Sequence, residues 1–154
     1  MKNQLTTKRL RLIPMMQEEL KRRVAEEADA GRRTALERMQ LGARGPGAHW
    51  HTVWRIELRK TGERVGEAYF LSAPLERTVS LNFSIDEARR GQGYAQEALQ
   101  ALCNWAFSRG AYYVAAEAAP NDAASQRALE SCGFRCLGTG QAEDRWEKEK
   151  PKSS

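Results

Sequence analysis

Between Thr78 and Gly110 the hydrophobic repeat of the chain changes period across a short run that carries two glycines, and no other feature limits the fold as much. Over Thr78–Ile85, Val79, Leu81, Phe83 and Ile85 alternate strictly with Ser80, Asn82 and Ser84, as in a strand with one face in a core. From Ala95 onward Ala98, Leu99, Leu102 and Ala106 recur at helical spacing until Gly110 stops the run. The join, Arg89-Arg90-Gly91-Gln92-Gly93-Tyr94-Ala95, is therefore a glycine-bearing turn from strand into helix.

Around this unit the pattern alternates between the two periods. Thr7–Pro14 predicts a first strand, and Gln17–Met39 predicts one or two amphipathic helices broken near Gly31. Leu41–Trp50, with three glycines and a proline, predicts a loop bordered by His49 and His51. His51–Arg59 and Arg64–Ser72, joined by Lys-Thr-Gly-Glu, predict a strand hairpin. Tyr112–Ala118 predicts a strand, Asp122–Cys132 a short helix, and Phe134–Leu137 another strand. Arg145–Glu149 is a candidate edge strand before a polar tail from about residue 150.

Composition sets the outer limits. A chain of 154 residues, 41% of them hydrophobic, can bury a core as one domain spanning residues 1–154. No apolar run approaches the ~20 residues of a membrane helix, and the first residues lack a secretory apolar stretch, so a cytoplasmic protein with no membrane partner is expected. Three cysteines without a CxxC, and two histidines, give neither a disulfide framework nor a metal site. A formal charge of +5 favours anionic partners without choosing among them.

The turn itself has a chemical reading. A helix N-terminus leaves about four backbone N–H groups unpaired at the positive end of the helix dipole. Gly91 and Gly93 remove the Cβ atoms that would keep a phosphate away, Ala95 keeps the first turn slim, and Arg89 and Arg90 add charge. No GK[ST] follows, so this is not a nucleotide-hydrolysing loop; the third glycine of GxGxxG is missing, which also removes the support for a dinucleotide-binding oxidoreductase.

These residues resemble the GNAT acetyltransferase superfamily, whose coenzyme motif is Arg or Gln, two residues, Gly, one residue, Gly or Ala; Arg90, Gly93 and Ala95 fit it. TKRLRLIP, GERVGEAYF, SLNFSIDEARRGQGYAQEAL and NDAASQRALESCGF extend the likeness over most of residues 5–137, toward the ribosomal-protein N-acetyltransferase branch. The resemblance implies a mixed α/β, three-layer fold: a mostly antiparallel sheet with a splayed central parallel pair and helices on both faces. It implies acetyl-coenzyme A as co-substrate, its pantetheine arm along the backbone of Phe83, Ser84 and Ile85 and its pyrophosphate over Arg90, Gly91, Gln92, Gly93, Tyr94 and Ala95. Asn121 and Ser125 match the first and last residues of the N-x-x-[SA] motif near the coenzyme. Asn121 and Asp122 also read as ordinary helix caps.

The resemblance leaves the proton chemistry open. The strand glutamate that serves many relatives as base is replaced by Ser80 or Val79, and the acid tyrosine by Leu129. Ser125 is then the candidate acid and Glu67 the carboxylate best placed to reach the sheet centre, with Glu117 competing. An α-amino group, at pKa about 7.7–8.0, needs only about 1 kcal/mol to be neutral at pH 7, against roughly 4.6 for lysine at about 10.4. The missing base thus favours a peptide N-terminus or a small-molecule amine as acceptor, attacked directly. Trp50, Trp54, Tyr69 and Phe70 could wall an acceptor pocket, although such residues more often form core. A homodimer is an open assembly for such a chain. The competing reading is a basic module that binds RNA or the ribosome through Arg9, Arg11, Arg22, Arg23, Arg32 and Arg33, with a vestigial coenzyme site and no RNA-recognition motif to support it.

Overall fold

The computed structural model describes residues 4–42, 47–139 and 144–151. Among them eight strands form one sheet in the order β1-β2-β3-β4-β5-β6-β8-β7. β1 (Leu5–Thr6), β2 (Leu10–Pro14), β3 (Val53–Leu58), β4 (Arg64–Phe70) and β5 (Thr78–Ile85) run antiparallel in sequence. β5 then pairs in parallel with β6 (Tyr113–Ala118), over three rungs only: Thr78–Tyr113, Val79–Val114 and Ser80–Ala115. This is the mostly antiparallel sheet with one parallel pair that the resemblance implies.

The alternation along β5 decides what each face holds. Val79, Leu81 and Ile85 join Leu10, Leu12, Trp54, Ile56, Ala68 and Phe70 in a core under α3 (Tyr94–Ser108), which contributes Leu99, Leu102, Cys103 and Trp105. α4 (Ala123–Ser131) lies on that face too, through Ala128 and Leu129. On the opposite face Met15, Val53 and Tyr69 pack with Leu20 and Val24 of α1 (Gln17–Glu26) and Leu36 and Met39 of α2 (Ala30–Gly42). The three layers follow from helices covering both sides. No helix among the described residues is long and apolar enough to cross a membrane.

Several boundaries move. The helical region breaks at Glu27–Asp29, not near Gly31, which lies inside α2. Glu27 is extended at the end of α1, its carboxylate accepting from Arg23 and from the Asp29 amide, so the chain turns where those bonds hold it. The expected loop Leu41–Trp50 begins within α2 and ends in a single 3-10 turn over Ala48–His51; residues 43–46 lie outside the described residues. β8 (Asp144–Glu149) is no edge strand. It pairs with β6 on one side and with β7 (Arg135–Thr139) on the other, leaving β7 at the edge. Its buried Trp146 and Lys148 alternate with exposed Arg145 and Glu149, a pattern too short to separate edge from interior in the sequence.

Trp50, Trp54, Phe70 and Trp105 form an aromatic cluster with ring centroids 4.5–5.5 Å apart, and His49 closes it at 5.9 Å from Trp54. Trp50, Trp54 and Phe70 are thus core, in the ordinary role of large aromatics. The His49 Nε2 is buried here with no partner among the described residues. Burial first, and the Arg109 charge second, push its pKa below the usual value. The unfolded chain then binds a proton that the folded chain refuses, so this site costs stability as pH falls below about 6.5. Unfolding midpoints followed by tryptophan fluorescence should rise between about pH 5 and pH 7, and His49→Phe should flatten that rise.

Candidate active site

The parallel pairing of β5 and β6 ends at Ser80 and Ala115, and beyond that rung the strands part. The Leu71 amide donates to the Ser80 carbonyl and the Asp86 amide to the Val65 carbonyl, so the even-numbered residues of β5 spend their main-chain groups on β4. Phe83 and Ile85 therefore direct theirs into the gap. Phe83, Ser84 and Ile85 line a cleft of about 420 Å³ that continues over Arg89, Arg90, Gly91, Gly93, Tyr94 and Ala95 and is closed by α4.

The far end of the cleft is the start of α3. Its N-cap is Gly93, left-handed at φ 82°, and no side chain caps the helix. The first intrahelical bond runs from the Glu97 amide to the Gly93 carbonyl, so the amides of Tyr94, Ala95 and Gln96, all at the cleft wall, have no helical partner. Gly91 also has positive φ, 79°, and a Cβ placed there would meet nothing within 4 Å, which leaves room for a ligand over the turn. Arg90 ties the turn to β5 through a 2.9 Å bond from Nε to the Ile85 carbonyl, and Arg89 pairs with Glu63 at 2.8 Å. Unpaired amides, the positive end of a 15-residue helix and two guanidiniums fit a phosphate group.

The other named residues fall in different places. Ser125 lines the cleft, but its hydroxyl donates to Asp122 Oδ2 at 2.7 Å while its amide donates to Oδ1 at 3.1 Å. Asp122 is thus the cap of α4, and it borders the cleft where Asn121 does not. The Gln92 side chain is also outside the lining. Leu129, at the position of the missing tyrosine, is fully buried. Val79 is buried and Ser80 half-buried at the last parallel rungs, so no carboxylate stands there. Glu117 is exposed on β6 opposite Arg145.

Glu67 is on the opposite face, only 7% exposed, and it is not free. Arg23 holds both of its oxygens, Nε at 2.8 Å and Nη2 at 2.6 Å, and Arg64 adds a bond at 3.1 Å. That bond to Glu67 is the largest cause raising the Arg23 pKa. Glu27 also binds Arg23, at 2.8 Å, and Glu57 sits 2.9 Å from Arg11 and 3.1 Å from Arg55, which in turn binds Glu19. Arg9, Arg11 and Arg23, half of the arginines assigned to an RNA surface, are thus committed to internal carboxylates.

Three features escaped the sequence. Arg127 lines the cleft, and the helical spacing of Ala124, Arg127, Ala128 and Ser131, all on one face of α4, was the signal for it. Tyr69 and Asn82 are opposed on β4 and β5, two residues past the last parallel rung, and the Asn82 amide donates to the Tyr69 hydroxyl at 3.0 Å. Thr7 and Arg9 meet Glu97 across 88–90 residues of sequence, a contact with no local signature.

The cysteines take no part. Cys103 is buried and its pKa is pushed up to about 12 by burial, and the Cys132 thiol is raised for the same first reason.

The fold and this cleft define an acyl-transfer scaffold, and the chain belongs to the acetyltransferase (GNAT) domain family, which it matches over residues 9–135. It is 35% identical over 83 residues to the uncharacterized N-acetyltransferase YjdG of Bacillus subtilis, a match covering 53% of this chain and 49% of the relative, so it spans about half of that protein's length. A GNAT-family acetyltransferase from Bordetella pertussis superposes with a TM-score of 0.71 at 23% identity, covering 96% of this chain and 99% of the other. RimL, a ribosomal L7/L12 α-N-protein acetyltransferase solved with coenzyme A, superposes at 0.70 with 15% identity, covering 94% and 96%.

Replacing Glu67 by Gln should leave the Arg23 guanidinium, 12% exposed, without its main partner. The expected loss is roughly 3 kcal/mol in denaturant unfolding, the size seen when one member of a buried pair is removed.

Proposed function

We propose that this chain, acting as one domain over residues 1–154, transfers the acetyl group of acetyl-coenzyme A to an amine by direct attack in a ternary complex. The observation that carries this reading is the cleft: strand backbone facing a gap, continuous with the uncapped N-terminus of α3. The coenzyme supplies an acetyl thioester. Tyr94, Ala95, Gln96, Gly91 and Arg90 are the groups that hold its diphosphate, and Phe83 and Ile85 offer main-chain groups to its arm. Asn121, exposed and outside the cleft lining, takes no direct part in this reading.

Proton transfer falls to few groups. Among the hydroxyl-bearing residues that line the cleft, Ser125 is the one assigned to give a proton to the departing sulfur, its Oγ turning away from Asp122 as it does so, and it recovers one as the new amide nitrogen loses its own. Main-chain N–H groups of β5 in the gap can take up the negative charge that gathers on the thioester oxygen. Glu67, with both oxygens engaged, acts by holding α1 against the sheet rather than as a base.

The acceptor reading rests on electrostatics. On the face under α1, Glu27, Glu57 and Glu67 each lie within 3.1 Å of an arginine and Glu19 is bound to Arg55, so none is left to gather a polycation or to strip a proton from lysine. That favours an amine already partly neutral at pH 7, a peptide N-terminus or a small monoamine. RimL, by its description, acetylates a protein α-amine.

Turnover on N-terminal peptides, internal-lysine peptides and polyamines separates the possibilities. The α-amine or monoamine should be preferred by at least tenfold in kcat/KM, and a preference for internal lysine or polyamine would overturn this acceptor class. Gly93→Asp, which puts a carboxylate on the turn, should weaken coenzyme binding by about a hundredfold in calorimetry, as loss of a charge-assisted anion site does.

A further inference from the structure

The start of α3 holds a contradiction that the rest of the molecule has to resolve. Glu97 is the one acidic residue in the first turn of this helix, beside the amides that are to receive a diphosphate. A carboxylate there suits the helix dipole and opposes an anionic ligand. It is met from behind by the strand turn Thr7–Leu10. The Arg9 amide donates to Glu97 Oε2 at 2.8 Å, the Arg9 Nε to Oε1 at 2.7 Å, and the Thr7 hydroxyl to Oε2. Burial alone would raise the Glu97 pKa, but these bonds outweigh it and hold it below the usual carboxylate range.

Arg9 does more than neutralise. Its Nη1 donates to the Gln92 carbonyl at 2.9 Å, and its guanidinium lies 4.7 Å over the Tyr94 ring. Arg9 is not part of the coenzyme cleft; it lines a separate hollow on the other side of the turn, with Leu5, Thr7 and Glu97. In a trans peptide the carbonyl and the following N–H point in opposite directions. Drawing the Gln92 carbonyl to Arg9 therefore turns the Gly93 N–H away from that hollow, toward the cleft. Gly93 permits the arrangement, since a Cβ there would stand 3.2 Å from Arg9 Nη2.

We propose that Thr7, Arg9 and Glu97 form a clasp that sets the phosphate turn in its binding orientation and cancels the Glu97 charge, making Arg9 a positioning residue for the coenzyme. The proposal rests on the coenzyme reading above. It gives the Thr-x-Arg of the turn between β1 and β2 a role in binding a ligand it does not touch.

The charge logic predicts an order of effects that simple loss of a surface arginine would not. Arg9→Ala frees the Gln92–Gly93 peptide and leaves the Glu97 carboxylate with two neutral donors, the Thr7 hydroxyl and the residue-9 amide, but no cation to offset its charge beside the diphosphate; Arg9→Ala with Glu97→Gln removes the second fault. Coenzyme A binding by calorimetry should weaken about tenfold to a hundredfold in Arg9→Ala, the scale of one charged hydrogen-bonding partner. At least about fivefold should return in the double variant, a non-additivity expected of groups in direct contact. In steady-state turnover the KM for acetyl-coenzyme A should rise while kcat at saturating coenzyme holds. Arg9→Lys keeps a charge but loses the planar fork and should fall between; it serves as the test if Arg9→Ala does not fold by circular dichroism. Affinity within twofold of the unaltered protein in Arg9→Ala or Arg9→Lys, or a double variant no tighter than Arg9→Ala, would overturn the clasp. Failure of the unaltered protein to bind coenzyme A would overturn the coenzyme reading and the clasp with it, and so is distinguishable from failure of the clasp alone.

Discussion

A sheet whose two central strands run parallel for three rungs and then part must leave main-chain groups unpaired in its middle. Buried backbone polar groups without partners are costly, so the gap is stable only if water or a ligand completes it. In this protein the register of β5 with β4 aims the Phe83 and Ile85 main chain into that gap, and Arg90 already takes one of the orphaned carbonyls, that of Ile85. The rest of the site is arranged around this interruption. α3 begins just past the end of β5 and brings its uncapped terminus to the same opening, and α4 closes the other side.

The two faces of β5 divide the labour. Val79, Leu81 and Ile85 are spent on the core beneath α3, which fixes the helix against the strand and so fixes its first turn against the gap. Asn82 and Ser84 look the other way, toward a face where the Arg23–Glu67 pair adds to the apolar packing of Leu20 and Val24 in holding α1 in place. Arg23 is gripped by two carboxylates there, and the Tyr69 hydroxyl takes its bond from Asn82 at the mouth of the opening. Neutralised charge makes a rigid wall without leaving a strong base in it.

How much of this was legible depends on how far each feature reaches along the chain. The strand Thr78–Ile85, the turn with Gly91 and Gly93, and the helix after it were readable because period and glycine placement are local properties. Asp122 as a cap was readable for the same reason. The position of β8 between β6 and β7 was not, because six residues of alternation look alike at an edge and inside a sheet. Glu67 was picked out as a reactive carboxylate, and nothing in its neighbourhood along the chain announces the arginine that occupies it from 44 residues away.

The sequence by itself determined the order of the main elements, the buried face of β5 and the glycine-bearing turn that leads into α3. These follow from hydrophobic period and from backbone freedom at glycine, which act within a few residues. Only the tertiary structure decided which charges remain available. Arg9, Arg23 and Glu67 read as free surface or catalytic groups in isolation, and each is committed to a partner that the fold brings within about 3 Å from a distant strand or helix. Coulomb and hydrogen-bond energies depend on distance in space, and separation along the chain carries almost no information about that.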